Sequence, residues 1–185
     1  MEIVFHIGAH CTDEGLLTRS LRLNSRVLDE DGILVPTPKS YFSVLRDAMR
    51  RYEGDVPDKE TREAILDAML DGREGRRVIL SHENLISFAP FVFAKKDFYP
   101  RMGDKARWLR NLFPDNPVEF HIALRDPASL VPAIFERKRD SLDAVSFRDS
   151  INLEALSWHN VLRDLQEGVP DSPIVTWCNE DTPLI

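Results

Sequence analysis

The chain has 185 residues, of which 43% are hydrophobic and 30% are charged. This length and composition suffice for one globular domain with a buried core, so disorder and collagen-like repeats are excluded. The 24 Lys and Arg residues against 31 Asp and Glu give a net charge of -7. A protein that binds nucleic acid over a broad surface is expected to carry the opposite sign of charge. Any anionic ligand must therefore find a local cluster of positive charge.

Cysteine spacing and hydropathy disfavour several further classes of protein. Cys11 and Cys178 lie far apart without a CxxC spacing, so we expect neither a disulfide framework nor a structural zinc site. The longest nearly apolar stretch, 85–94, is too short to cross a bilayer. The first residues lack the basic and apolar regions of a secretory signal. We therefore expect a cytoplasmic protein that has no membrane segment and no bound metal.

The apolar pattern predicts strands and helices that alternate along the chain. Short apolar runs that end in loops predict strands at 2–7, 33–35, 78–80, 118–124 and 174–177. Apolar residues at helical spacing predict helices at 14–29, 41–51, 58–70, 105–113 and 153–166. Another helix should follow Arg125, with Pro132 tolerable only in its first turn. The alternation predicts a single three-layer α/β domain, residues 1–185, around a mostly parallel central sheet.

The first candidate site is the segment 5–12, where a strand runs into a loop that precedes a helix. Such a junction presents backbone N–H groups and the positive end of a helix dipole, which suits a phosphate or sulfate. The loop lacks the second glycine and the Lys-Ser/Thr pair of a Walker A loop. Asp13 and Glu14 follow it, and acidic residues at a helix start cap N–H groups. We expect Asp13 to cap the first helix, which would put a carboxylate where a phosphate would otherwise bind.

The second group of candidates follows two predicted strands. His82 and Glu83 come after the strand at 78–80, and Arg125 comes after the strand at 118–124. Open parallel sheets bind ligands beyond the C-terminal ends of their strands. His82 or Glu83 could act as a general base, and Arg125 could bind a phosphate through two guanidinium nitrogens. Equally, Glu83 could cap a turn or pair with an arginine, and Arg125 could hold Asp126 or Glu83 in a structural ion pair.

Three short segments together resemble the bacterial sulfotransferase family, a branch of the P-loop fold. They are His6-Ile7-Gly8-Ala9-His10-Cys11-Thr12 followed by Leu17, then Leu80-Ser81-His82-Glu83, then Leu124-Arg125-Asp126-Pro127. The resemblance implies a P-loop-like fold and transfer of a sulfuryl group from 3'-phosphoadenosine 5'-phosphosulfate (PAPS) to a hydroxyl or amine acceptor. It implies that the loop holds the phosphosulfate, that Arg125 binds the 3'-phosphate and that Glu83 deprotonates the acceptor. The implied cofactor-binding residues are Gly8, Ala9, His10, Cys11, Thr12 and Arg125.

The loop departs from the pattern of that family. Cys11 stands where the family has the lysine that steadies the bridging oxygen, and Asp13 and Glu14 replace a Gly-Thr pair. Ala133 stands where a serine usually touches the 3'-phosphate. Loss of one such charge-stabilising contact commonly costs about a hundredfold in rate. The alternative prediction is therefore a non-catalytic protein of this fold that has lost PAPS binding and recognises a partner or another small ligand.

Other interpretations of the loop residues stay open at this point. Cys11 beside His10 could form a nucleophile and base pair, although adjacent loop residues seldom face each other. A hydrolase or metal enzyme could use these two residues with Glu83. His6, His10, Asp13 and Glu14 could ligate zinc or iron, whereas a histidine that alternates with apolar residues in a strand is more often a satisfied core residue.

Two further segments have alternative interpretations. The basic cluster 137–139 is interpreted as the solvated end of a helix. The aromatic residues between 88 and 99 could cover the site, line an acceptor pocket or belong to the core. Residues 179–185 stop where another helix could begin, which suggests a fragment of a longer protein. The acceptor, the oligomeric state and the pathway cannot be inferred from these patterns.

Overall fold

The computed structural model describes residues 1–140 and 143–181. Five strands, all paired in parallel, form one sheet in the order β2-β3-β1-β4-β5. The strands are β1 (Glu2–His6), β2 (Ile33–Leu34), β3 (Arg77–Ser81), β4 (Val118–Leu124) and β5 (Ile174–Cys178). The predicted α/β class, the parallel sheet and the position of each predicted strand are confirmed.

Eight α-helices connect and flank these strands within the described residues. They are α1 (Leu16–Leu23), α2 (Ser25–Glu30), α3 (Pro38–Tyr52), α4 (Lys59–Leu70), α5 (Met102–Asn111), α6 (Pro127–Lys138), α7 (Ala144–Ser150) and α8 (Trp158–Gly168). Short 3-10 helices lie at Ala89–Phe91, Ala94–Lys96, Leu153–Ala155 and Asn179–Asp181. None of the helices in these parts of the chain is long and apolar enough to cross a membrane.

Two predicted helices have the wrong extent. The single helix expected at 14–29 is two helices, because Asn24 leaves the helical conformation (φ -99°, ψ 12°) and its side chain donates to the carbonyl of Ser20. The helix expected at 153–166 begins only at Trp158. Its start is fixed by Ser157, whose hydroxyl accepts the N–H of Asn160 at 3.4 Å. The terminal segment 179–185 lies partly outside the described residues.

The expectation for Pro132 is also wrong. Pro132 lies inside α6, beyond its first turn. A proline at this position removes the hydrogen bond to the carbonyl of Ala128, four residues earlier. Ala128 is exposed, so water can satisfy that carbonyl and the helix continues.

The central strand β1 positions the site. Its Ile3 and Phe5 side chains are fully buried, and the Phe5 ring lies against Phe113 and Phe120 with centroids 6.0 and 5.6 Å away. The last residue of β1, His6, lies in register with Ser81 of β3 and His121 of β4. The loops that follow β1, β3 and β4 therefore leave the same edge of the sheet side by side.

Candidate functional site

A cleft of about 580 Å³ opens at this C-terminal edge. One wall consists of polar and apolar residues of α1 and the turn before it, and the other consists of the ends of β1 and β3 and the last turn of α6. The lining residues that carry charge are Asp13, Glu14, Arg19, Arg22, Glu83 and Arg137. The cleft therefore contains three arginines, the local cluster of positive charge that an anionic ligand would need, together with three carboxylates.

The loop after β1 is folded into the protein rather than held open. Gly8 has φ +110°, a conformation that favours glycine, and it exchanges backbone hydrogen bonds with the sheet: Ala123 donates to Gly8, and Ala9 donates to Ala123, both at 2.7 Å. Of the five loop residues predicted to bind the cofactor, Gly8 lines the cleft. Ala9, His10 and Cys11 are buried, and the Thr12 hydroxyl donates to the carbonyl of Ala9 at 2.8 Å.

His10 is a fully buried, hydrogen-bonded core histidine. Its backbone N–H donates to the hydroxyl of Tyr99 at 3.0 Å, and the same hydroxyl lies 2.8 Å from Nδ1 of the ring. Nε2 lies 3.2 Å from Oδ1 of Asn84, which can only accept, so Nε2 carries the proton and Nδ1 accepts from Tyr99. Burial lowers the pKa of His10 and keeps it neutral. Both ring nitrogens therefore have partners other than Cys11, and no hydrogen bond joins the His10 ring to Cys11 among the described residues.

The carboxylate of Asp13 caps the start of α1, but the N-cap residue is Gly15 and not Asp13 as predicted. Its carboxylate accepts the backbone N–H groups of Gly15 at 3.3 Å and Leu17 at 3.0 Å, and its carbonyl accepts that of Leu16 at 2.8 Å. These are the N–H groups and the helix end that attract a phosphate in an anion-binding loop. An internal carboxylate thus occupies the position that the loop would offer to a ligand.

Cys11 and Glu83 meet at Arg137, a residue that the sequence placed on a solvated helix end. Nη1 of Arg137 donates to Oε2 of Glu83 at 2.7 Å and lies 3.9 Å from Sγ of Cys11. Arg137 is exposed in the last turn of α6, as predicted, but it is also paired, which the prediction missed. The prediction that Glu83 pairs with an arginine is confirmed. Burial opposes the charge of Arg137, but the hydrogen bond and attraction of Glu83 outweigh it and raise its pKa. Burial raises the pKa of the Cys11 thiol, which disfavours the thiolate that a nucleophile requires.

His82 lines the cleft and is held as a neutral hydrogen-bond donor. Its ring stacks on Phe42 with centroids 4.0 Å apart, and its Nδ1 accepts the backbone N–H of Asn84 at 3.0 Å. Burial lowers the pKa of His82. With Nδ1 occupied, the proton resides on Nε2, so this side chain can donate to a ligand more readily than it can accept a proton.

Arg125 is directed into the protein rather than into the cleft. Its guanidinium donates to the carbonyl of Cys11, and Nε donates to the hydroxyl of Ser129 at 3.1 Å. Its backbone carbonyl accepts the indole N–H of Trp158 at 2.7 Å. Arg125 therefore ties the loop to α6, and binding a 3'-phosphate would require it to exchange at least one of these contacts.

Two buried polar residues at the floor of the cleft were not predicted as a pair. Nδ1 of His6 lies 2.7 Å from the hydroxyl of Ser81, and the Ser81 carbonyl accepts the hydroxyl of Tyr41 at 2.8 Å. Nε2 of His6 is buried without a partner among the described residues. Burial lowers the pKa of His6, so the floor of the cleft is uncharged.

The structure also bears on the candidate metal ligands, the two cysteines and the aromatic residues between 88 and 99. Within residues 1–140 and 143–181, no three His, Cys, Asp or Glu side chains converge as metal ligands, and Cys11 and Cys178 are free thiols. The aromatic run divides: Phe93, Phe98 and Tyr99 belong to the core, whereas Phe91 is 60% exposed. Phe88 and Phe91 line a second pocket.

No protein-family model and no curated protein matches this chain in sequence. The resemblance to bacterial sulfotransferases therefore stays a prediction from three short segments of the sequence.

Proposed function

We propose that this chain is a sulfotransferase-like protein with a three-layer, P-loop-like fold whose cleft binds a PAPS-type nucleotide through arginines of α1 and α6. The observation that carries the proposal is the position of Arg137, which lies 3.9 Å from the sulfur of Cys11 and 2.7 Å from Glu83. A cation thus reaches the place where the loop lysine of the family is missing. Arg19 and Arg22 face the same cleft from α1, and guanidinium groups bind phosphate and sulfate with paired hydrogen bonds.

The loop itself does not fit a phosphosulfate in the way that the family resemblance implies. The N–H groups of Ala9 and His10 are used inside the protein, and Asp13 caps the helix end that would face the anion. A nucleotide would therefore bind across the cleft, whose volume of about 580 Å³ lies in the range of small-molecule sites. Glu83, the acceptor base implied by the resemblance, would have to leave its ion pair with Arg137 to accept a proton.

The test is a thermal-shift titration with PAPS and with its desulfated product, 3'-phosphoadenosine 5'-phosphate (PAP), with ATP and sulfate as comparison ligands. A ligand at a hundred times its dissociation constant stabilises the folded state by about 2.7 kcal/mol. We expect a shift with the two 3'-phosphorylated nucleotides that Arg137→Met abolishes.

Two further variants make the result decisive. Arg139→Met removes an exposed cation from the same helix end and should leave the shift unchanged. Arg125→Met tests the binding mode of the family: loss of the shift there, with Arg137→Met unaffected, would contradict the cleft proposal. Sulfuryl transfer to a phenol or amine acceptor from labelled PAPS would then establish whether the bound nucleotide is a substrate.

The second candidate function is non-catalytic binding of another anion or partner. It is favoured by the Asp13 cap and by the pairing of Glu83, because both place the charges of the cleft in internal contacts. A cooperatively melting protein that shifts with none of the four ligands would support this candidate over the first.

A further inference from the structure

A second pocket, of about 390 Å³, lies between α3, the segment that follows β3 and the start of α5. It shares no lining residue with the cleft. Its charged lining residues are all cationic: Arg46, Arg50, Lys95, Arg101 and Lys105. Five cations without a carboxylate are unusual in a chain of net charge -7, because clustered like charges repel one another unless an anion lies between them.

Most of these cations lack an internal counter-ion. Within the described residues, Arg101 pairs with Asp104 at 3.4 Å, whereas the ion pairs do not include Arg46, Arg50, Lys95 or Lys105. Nε of Arg46 is buried without a hydrogen-bond partner. Burial, and then the charge of Arg101, lower the pKa of Lys105, while the charges of Glu53 and Asp104 act in the opposite direction. Nζ of Lys105 lies 3.5 Å from the centroid of the Trp108 ring. An anion in this pocket would accept a hydrogen bond from Nε of Arg46 and offset the repulsion between Arg101 and Lys105.

Apart from Asn84 and Ser87, the remaining lining is apolar or aromatic. Leu85, Ile86, Phe88, Phe91 and Pro100 contribute to it, and Phe91 is 60% exposed at this surface. The guanidinium carbon of Arg46 lies 5.7 Å from the centroid of the Phe88 ring, so cation and aromatic face are adjacent. A ligand that matches this lining has a flat apolar part as well as negative charge.

The backbone around the pocket is held in an unfavourable conformation. Lys95 and Arg101 both line the pocket and have φ values of +59° and +66°. Lys96 and Tyr99, between them, also have positive φ. Left-handed conformations at non-glycine residues are disfavoured and cluster at ligand-binding segments.

We propose that this second pocket is a binding site for an aromatic phosphomonoester, with the phosphate held by Lys105, Arg46 and Arg50 and the ring placed against Phe88 and Phe91. A phosphomonoester carries nearly two negative charges at neutral pH, which suits several cations better than a single carboxylate would. The inference is independent of the function proposed for the cleft, because the two sites use different residues.

The test measures binding of 1-naphthyl phosphate by isothermal titration calorimetry, with 1-naphthol and inorganic phosphate as ligands that each lack one half of the probe. We expect one equivalent of 1-naphthyl phosphate to bind, and each half alone to bind at least about tenfold more weakly. Lys105→Met and Arg50→Met should each weaken binding about tenfold, the ordinary contribution of one charge-assisted hydrogen bond.

Two control variants locate the ligand. Lys59→Met removes an exposed lysine of α4 and should leave the affinity unchanged, as should Arg137→Met in the cleft. Absence of binding, equal binding of inorganic phosphate, or unchanged affinity in both Lys105→Met and Arg50→Met would overturn the proposal. Loss of binding in Arg137→Met alone would place the ligand in the cleft and overturn it as well. Because Arg50 is exposed on α3, its replacement tests the site even if Lys105→Met fails to fold.

Discussion

The cleft and the second pocket are both lined by arginines, but they differ in how their charges are satisfied. In the cleft, Arg137 pairs with Glu83, and the carboxylate of Asp13 caps α1. In the pocket, Arg46 and Lys105 form no ion pair among the described residues, Nζ of Lys105 lies 3.5 Å from the centroid of the Trp108 ring, and Nε of Arg46 is buried without a hydrogen bond.

This difference indicates how readily each site can accept an anion. A ligand in the cleft has to replace internal contacts, so only the surplus over those contacts appears as affinity. A ligand in the pocket supplies a negative charge to Arg46, Arg50 and Lys105, which form no ion pair among the described residues. Arginines therefore line both a cleft in which Arg137 is paired inside the protein and a pocket in which most cations form no ion pair within the described part of the chain.

The largest expected effect comes from removing the Tyr99 hydroxyl, which satisfies two buried polar groups of His10 in the loop. Tyr99→Phe removes the hydroxyl that serves both the N–H and Nδ1 of His10, and leaves two buried polar groups unpaired. We expect the free energy of unfolding to fall by about 2 to 3 kcal/mol, measured by urea denaturation. Tyr52→Phe, whose hydroxyl makes a single long contact with Thr61, should cost well under half as much. Equal losses would mean that the loop does not depend on Tyr99.

Acidification should lower the stability of the folded protein through the histidines of the cleft and loop. His6, His10 and His82 lie in the cleft and loop, and burial lowers the pKa of each below the ordinary 6.5. The unfolded chain then binds more protons than the folded one below about pH 6.5, so stability is present above that pH and is lost as the pH falls. Each histidine contributes a slope of at most about 1.4 kcal/mol per pH unit.

The measurement is the urea midpoint between pH 7.5 and pH 5. His82→Gln should reduce the change of the urea midpoint with pH. His159→Gln, at an exposed position of α8, should leave that change as it is. A midpoint that rises on acidification would contradict the direction of these three pKa shifts.

A smaller effect is expected from removing the internal anion of the cleft. Asp13→Asn keeps a capping oxygen, because asparagine caps helices about as well as aspartate, but it removes the negative charge next to the helix end. We expect little change in stability and a gain of about tenfold in affinity for PAP. Asp29→Asn, at an exposed position of α2, is the matched control. Equal affinity of the two variants for PAP would show that the Asp13 carboxylate does not oppose an anion in the cleft.

The smallest effect concerns thiol reactivity and leaves stability almost unchanged. Cys11 is buried with a raised thiol pKa, and Cys178 is exposed. We expect an aromatic disulfide reagent to modify Cys178 at least about tenfold faster than Cys11, as measured on the Cys11→Ser and Cys178→Ser variants. Faster reaction of Cys11 would show that Arg137 activates its thiolate in spite of burial.

The parts of the fold that the sequence predicted correctly are those governed by neighbouring residues. Ile3, Val4 and Phe5 form the continuous apolar run expected of a strand buried in a parallel sheet. The helix predicted at 58–70 begins one residue later, at Lys59, because Asp58 accepts the N–H of Thr61 at 2.8 Å. The errors at Asn24 and Ser157 have a related cause: each side chain hydrogen-bonds the local backbone and competes with continuation of a helix.

The candidate site was predicted only in part. Gly8, His82 and Glu83 line the cleft as expected, because the ends of parallel strands meet at one edge of the sheet. Arg137 was interpreted as a solvated cation, since nothing in its local sequence shows that the last turn of α6 reaches Glu83. Arg125 was expected to face a ligand, and the structure directs it to the carbonyl of Cys11 instead.

The sequence alone thus determined the α/β class, the strands and the capping role of the Asp13 carboxylate, because apolar periodicity and capping act over a few residues. Only the tertiary structure decided which charges meet. Arg46 and Lys105 are ordinary helix-surface cations when read along the chain, and packing of α3 against α5 brings them to one pocket. Pairing of Arg137 with Glu83, 54 residues apart, depends in the same way on the path of α6, which no local pattern specifies.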